Sequence, residues 1–267
     1  MKLLFSEYKS DYSNYIFPYA IWAIPEAGET PSMIFARGFL PASREFKRYY
    51  MCRHLRVDLS QFTCSSENRR ILRKCEDISY RLLPRAEFEY TPQWRKFCKN
   101  YADIKFGKDV MTYERLDSLF NSKIISHLLV YTDSENGQDV GITTLYIEGT
   151  KLVYYYYAFY DLNYYARNLG MYMMTSAVDY FAQLNQQFIY LGTCYSRNAL
   201  YKTQFSGAQF FNGFRWSDDL KELKYLIERD HATVKKHLIE SEEYREKFYD
   251  GELRAIVAAS DFVILIE

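Results

Sequence analysis

Apolar positions follow two rhythms along this chain, and the change from one to the other marks its centre. Residues 151–160 carry Leu152, Val153, Tyr154, Tyr155, Tyr156, Tyr157, Phe159 and Tyr160. A strand with one wet face alternates apolar and polar side chains, so a run this continuous predicts a strand buried on both faces. Asp161-Leu162-Asn163 closes it with a turn signal. After Arg167-Asn168-Leu169-Gly170 the spacing becomes helical, through Met171, Met174, Ala177, Val178 and Phe181. The stretch Arg167 to Gly170 therefore sits where a helix begins. A strand over 187–193, a short helix over 198–202 and, past Gly207, a strand over 209–216 complete the region.

The flanks predict the remaining elements. The β-branched runs 124–131 and 140–147 are separated by Asp133-Ser134-Glu135-Asn136-Gly137, whose Asn-Gly is a hairpin signal, and Glu148-Gly149 makes the next turn. Short helices are expected over 94–101 and 113–119, behind breaks at Leu83-Pro84 and Thr91-Pro92. Ser65-Ser66-Glu67-Asn68 reads as a helix start, with a serine able to cap, an early acid, and Ile71 and Leu72 turned inward. Beyond Trp216, helical spacing over 220–237 and 241–248 precedes 256–266, which reads as either strand or helix and offers no chemistry. The order of elements gives an α/β (α+β) fold with a mixed, mostly antiparallel central sheet flanked by helices. A smaller N-terminal portion is expected over 1–90 and the main domain over 91–267.

Composition narrows the class. With 48% hydrophobic and 18% aromatic residues in 267, the chain can bury a substantial core and is no disordered tail. No apolar stretch reaches the length of a membrane span, and the N-terminus turns polar at once, so a cytoplasmic location is expected. Five cysteines, odd in number and widely spaced, suit reduced thiols rather than a disulfide framework. Cys52 and His54 lie two apart, but two ligands do not make a site that needs four, so no metal is expected and the pair reads as a partly buried thiol beside a surface histidine.

Net charge is zero, unevenly spread. Between Arg44 and Lys74 stand nine basic residues against three acidic ones; between Asp218 and Glu252, eleven acids stand against seven bases. A local basic patch is enough to meet a phosphate backbone. Read by itself the same run is a solvated face with scattered ion pairs.

The candidate chemistry starts at the helix start. Free backbone N–H groups and the positive end of the helix dipole favour an anion there, and a glycine in the first turn lets the ligand approach. Arg167 with Gly170 resembles the pyrophosphate turn of GNAT-type acyltransferases, Gln/Arg-x-x-Gly-x-Gly/Ala, with a departure at Tyr172, where a small residue is usual. Asn198 and Tyr201, followed by Gly207, resemble the second half of that signature, in which the tyrosine is the general acid. A narrower resemblance covers roughly 20–216. Tyr157-Ala158-Phe159-Tyr160-Asp161, Leu169-Gly170, Ile189-Tyr190-Leu191-Gly192 with Cys194, and Tyr201-Lys202 are similar to the C-terminal domain of arginyl-tRNA–protein transferases and bacterial leucyltransferases. Ala36-Arg37-Gly38-Phe39 and the segment from Ser65 to Arg70 fit the N-terminal part of that family.

The resemblance implies an enzyme that transfers an amino acid from aminoacyl-tRNA to the N-terminal amine of a protein or peptide. Aminoacyl-tRNA is then the donor substrate and no cofactor is needed. It implies donor contacts at Arg167, Asn168, Leu169, Gly170 and Asn198, with tRNA acceptor-stem contacts at Arg69, Arg70, Arg73 and Lys74. Tyr201 would give a proton to the leaving group, though among 27 tyrosines a packing role is the plainer alternative. Asp161 would hold the acceptor ammonium or simply cap the turn. Lys202 and Arg197 would face an anion or stay solvated. Two further readings stand beside this one, an acetyl-CoA–dependent N-acetyltransferase, disfavoured by the bulk of Tyr172, and a binding module that kept the fold and lost the chemistry.

Overall fold

In the computed structural model, which describes residues 1–261, the chain divides into two units. The first comprises Met1–Leu55, Thr193–Gln204 and the residues from Ala208 onward, and the second comprises Arg56–Gly192 with Phe205–Gly207.

The first unit opens with a four-stranded antiparallel sheet. Its strands are β1 (Lys2–Glu7), β2 (Tyr19–Ile24), β3 (Phe39–Pro41) and β4 (Tyr49–Met51), in the order β1-β2-β4-β3. Helix α1 (Pro31–Ala36) starts on a proline, whose missing N–H costs nothing in a first turn. It buries Ile34 and Phe35 beside the sheet residues Phe39, Leu40 and Tyr49.

The second unit holds the chain's central sheet. It is entered through β5 (His54–Asp58), followed by helix α2 (Ser66–Arg73), strand β6 (Ile78–Pro84), and helices α3 (Pro92–Lys105) and α4 (Tyr113–Phe120). Strands β7 (His127–Asp133), β8 (Asp139–Glu148) and β9 (Leu152–Tyr160) come next, then helix α5 (Leu169–Gln183) and strand β10 (Phe188–Thr193). The sheet order is β5-β10-β9-β8-β7-β6. Strands β6 to β9 pair antiparallel, and β9 pairs with β10 in parallel across α5. This mixed, mostly antiparallel sheet flanked by helices is the expected fold class. Strand β9 is its centre: Leu152, Val153, Tyr154, Tyr155 and Phe159 are buried, and both α5 and α3 pack on it.

Back in the first unit, the chain continues through the hairpin β11 (Ala208–Phe211) and β12 (Trp216–Ser217), then helices α6 (Leu220–Arg229), α7 (Glu242–Phe248) and α8 (Leu253–Ala259).

Several expectations are corrected by this arrangement. Leu83-Pro84 does not break the pattern; it closes β6, an edge strand of this sheet in the unit, where a proline costs no ladder bond. Residues 209–216 are a hairpin and not one strand, because Asn212 turns the chain: its N–H donates to the Arg215 carbonyl and its Oδ1 accepts from the N–H groups of Phe214 and Arg215. Helix α6 ends at Arg229, since its buried anchors stop at Leu226 and Ile227. Part of the 256–266 expectation is met by the helix α8; residues 262–266 lie outside the described residues. His54 is fully buried, not on the surface, with its ring edge-on to Trp216 at 5.0 Å.

Candidate functional site

The candidate site is the junction β9–turn–α5 in the second unit. The parallel ladder between β9 and β10 consists of Val153 opposite Ile189 and Tyr154 opposite Tyr190, and no further rung follows among the described residues. Both strands continue past it, to Tyr160 and Thr193. Ligands of open α/β sheets collect outside the carboxyl ends of parallel strands, where neighbours part. On its other edge β9 carries a bulge between its pairings with Thr144 and Leu145, and the Thr144 Oγ1 accepts from the Tyr157 N–H at 3.0 Å.

From β9 the chain enters a 3₁₀ turn, Leu162–Arg167, capped by Asp161, whose Oδ1 accepts from the Asn163 N–H at 2.9 Å. Asn168 then takes left-handed geometry at φ 62°, a conformation its short polar side chain tolerates, and α5 begins at Leu169. No side chain caps that first turn. A fifteen-residue helix therefore starts at the end of the central strand with its leading N–H groups uncapped by any side chain, an arrangement that favours an anion.

Gly170 has a packing reason in addition to any ligand. A Cβ on it would stand 2.7–3.0 Å from the end of the Tyr160 ring, so the glycine lets strand and helix meet. Tyr172 is turned inward: its phenol donates to the Ile78 carbonyl and its ring packs on Tyr131. The expectation that its bulk would crowd a pyrophosphate is thereby corrected.

Arg167 is anchored by protein groups. Its guanidinium pairs with Asp77 and donates to the Lys74 carbonyl at 3.1 Å, and its own carbonyl accepts from the Cys75 thiol. The hydrogen bond from Arg167, ahead of the cost of desolvation, holds the Asp77 carboxyl below the usual range. Asp77, Asp133 and Glu135 offer carboxylate oxygens within 4.8 Å of one another, and Tyr164 donates to Asp133. Arg167 is thus the counter-charge of an acidic cluster as well as a neighbour of the turn.

Its bonds tie the turn to α2, the basic helix. Ser65 and Asn68 form a reciprocal capping box there, the expected start one residue before Ser66. Arg70 clamps Glu67 through two bonds of 2.7 and 2.5 Å, and Arg69 donates to the Cys64 carbonyl at 2.6 Å. Arg73 and Lys74 are exposed and make no ion pair among the described residues. Asn198 and Tyr201 stand in the first unit, on the 3₁₀ turn Arg197–Thr203 after β10, with Tyr201 46% exposed. Sequence reasoning passed over Asp77, the partner of Arg167, because ninety residues separate them and nothing local marks the pair.

The parallel strand pair, the crossover helix and the antiparallel strands before it are the order expected of a GNAT-like sheet. No protein-family model matches the chain, and no curated protein matches it. Among solved structures, the C-terminal domain (DUF2156) of a putative lysylphosphatidylglycerol synthetase from Agrobacterium fabrum is similar at 11% identity and TM-score 0.43, covering 54% of this chain and 46% of that one. FemX is similar at 9% identity and TM-score 0.39, covering 53% of each. A GCN5-related N-acetyltransferase from Sphaerobacter thermophilus reaches 13% identity and TM-score 0.35, over 65% of this chain and 50% of that one. The chain spans about half the length of these structures, and at such scores nothing of their chemistry passes to it. No helix among the described residues is long and apolar enough to cross a membrane.

Proposed function

We propose that this chain is an acyl-group transferase that takes an aminoacyl group from tRNA and gives it to the N-terminal amine of a protein or peptide. One observation carries the reading. The basic helix α2 ends against the turn that opens α5, through Arg167 and Cys75, so cations adjoin an uncapped helix start at the carboxyl end of β9. A single phosphate seat suits any nucleotide-linked donor, and a cationic helix joined to it suits one whose phosphates continue.

In this reaction the acceptor nitrogen attacks the ester carbonyl, a C–N bond forms, and the C–O bond to the terminal ribose breaks. The leaving oxygen takes a proton, and the nitrogen loses one. Tyr201 is the proposed proton donor on the strength of its sequence position, with a phenol ordinarily protonated at neutral pH. Main-chain N–H groups of Leu169 and Gly170 are the proposed seat for donor phosphate, with Asn168 and Arg167 shaping it. Asn198 is a proposed donor contact.

Acetyl-CoA remains the second reading because the inward turn of Tyr172 removes the crowding that disfavoured it. One experiment separates the two. Binding of aminoacylated and uncharged tRNA is measured across a salt series, with acetyl-CoA beside it, for wild type and for a variant with Arg69, Arg70, Arg73 and Lys74 all changed to Ala. Each lost phosphate contact lowers the slope of log affinity against log salt by somewhat under one unit. Most of the change is expected from Arg73 and Lys74, since Arg69 and Arg70 hold protein partners. Saturable acetyl-CoA binding without salt-sensitive tRNA binding overturns the primary reading.

A further inference from the structure

The second unit also carries a cavity, where β6 ends beside the last turn of α4. It measures about 520 Å³ and is lined by residues 84–86, 120–123 and 126, none of which belongs to the β9–α5 junction. That volume suits a small organic molecule and far exceeds the room a bare ion needs. Two of the lining residues, Arg85 and Lys123, are cationic and none is acidic, so the cavity itself brings the two positive charges together.

Arg85 is held in place by main-chain carbonyls. Its N–H donates to Ser126 at 2.8 Å, its Nε to Phe120 at 2.6 Å and its Nη1 to Phe88 at 2.8 Å. The Nε bond satisfies a carbonyl at the C-terminal end of α4, which gives the arginine a structural reason. It does not account for the rest of the side chain. A guanidinium has five N–H donors and these bonds use two, leaving three that include both on Nη2. Nη2 donates to no protein group among the described residues and is not one of the buried atoms that lack a partner, so solvent reaches it. A planar fork fixed in this way matches the two oxygens of a carboxylate and loses little further freedom on binding one. Beside it in the lining, the exposed Asn121 carboxamide makes no protein hydrogen bond among the described residues, and Pro84 and Ala86 add apolar surface.

We propose that this cavity binds a small organic acid, whose carboxylate takes the remaining N–H groups of Arg85 and whose body lies over Pro84 and Ala86. Lys123 adds positive charge to the same cavity, and Asn121 offers a hydrogen bond to a polar group on the body. The site is independent of the transferase reading and stands whether or not that reading does.

The test uses the full chain and three probes, benzoate, its uncharged amide benzamide, and inorganic phosphate, at neutral pH and constant ionic strength. Binding is followed by saturation transfer from the protein to the ring protons of the probe. Benzoate is expected to give a saturable signal, and benzamide to bind about tenfold or more weakly, since it cannot make the charge-assisted bonds to the fork. Ala86→Trp places a large ring in the lining and leaves Arg85 intact, and Arg85→Met removes the fork; each is expected to abolish the saturable benzoate signal. Lys151→Met removes an exposed cation from the turn between β8 and β9 and is expected to leave it unchanged. The absence of a saturable benzoate signal up to about 10 mM overturns the proposal, as does equal binding of benzamide or an undiminished signal in Ala86→Trp. Phosphate that displaces benzoate at less than about a tenth of the benzoate concentration overturns the assignment to an organic acid. Ala86→Trp decides the matter by itself if Arg85→Met does not fold.

Discussion

Gly170 shows how one residue serves a fold and a site together. The space a Cβ needs is held by the Tyr160 ring end, so Gly170→Ala forces that ring to move and is expected to cost about 1–3 kcal/mol of stability. Thermal unfolding measures it. A Gly170→Ala protein as stable as wild type shows that the ring gives way freely, and the glycine then has no packing reason. Tyr201 is the opposite case, a residue proposed for its chemistry and not for its packing. It is half exposed on a short turn, and Tyr201→Phe is expected to lower the single-turnover transfer rate by on the order of 100-fold with donor affinity nearly unchanged. An unchanged rate returns it to a packing role. That Arg167 and Gly170 stand where α5 begins was legible from residue types and spacing. The partner that occupies Arg167 was not, because an ion pair spanning ninety residues leaves no local trace.

At the scale of elements, what was legible is what periodicity controls. Strand β9, the hairpin joining β7 and β8, the serine cap of α2 and the helix α5 follow from local pattern and stand where expected. Strand β6 was hidden by its closing proline, whose cost depends on edge position, a property of the assembled sheet. The turn between β11 and β12 repeats the Asn-Gly signal, as Asn212-Gly213, and was available in the sequence. Elements past Trp216 carry no chemistry in their pattern because their organising group is a single buried side chain. Glu222 is fully buried and accepts from Asn212 at 2.8 Å, Ser217 at 2.6 Å, Tyr244 at 2.5 Å and Tyr249 at 3.2 Å, joining α6, α7 and the β11–β12 hairpin. Glu222→Ala leaves those donors without an acceptor, and a loss of about 3 kcal/mol or more is expected in denaturant unfolding. Glu222→Gln keeps an acceptor oxygen and is expected to fall between the two. A Glu222→Ala protein within about 0.5 kcal/mol of wild type shows that the network does not hold these elements.

Across the whole molecule, zero net charge conceals cations in two settings. On α2 of the second unit, exposed Arg73 and Lys74 can meet a phosphate backbone in solvent, where salt screens the contact. In the first unit Arg53 is withdrawn from solvent and paired with Asp230, where screening is weak. Added salt is therefore expected to weaken contacts of the first kind far more than the buried Arg53–Asp230 pair.

The first unit is closed by residues from distant parts of the chain. The Trp216 indole N–H donates to the Ala36 carbonyl at 2.7 Å, and the Phe211 ring fills the space where Gly38, at φ +86°, would carry a Cβ. On a ribosome, Ala36 and Gly38 emerge some 170–180 residues before these partners, on the order of ten seconds or more at ordinary elongation rates. Over that interval residues 56–192, nearly all of the second unit, are made in one continuous piece. The second unit can therefore mature during synthesis while the first waits for its far end.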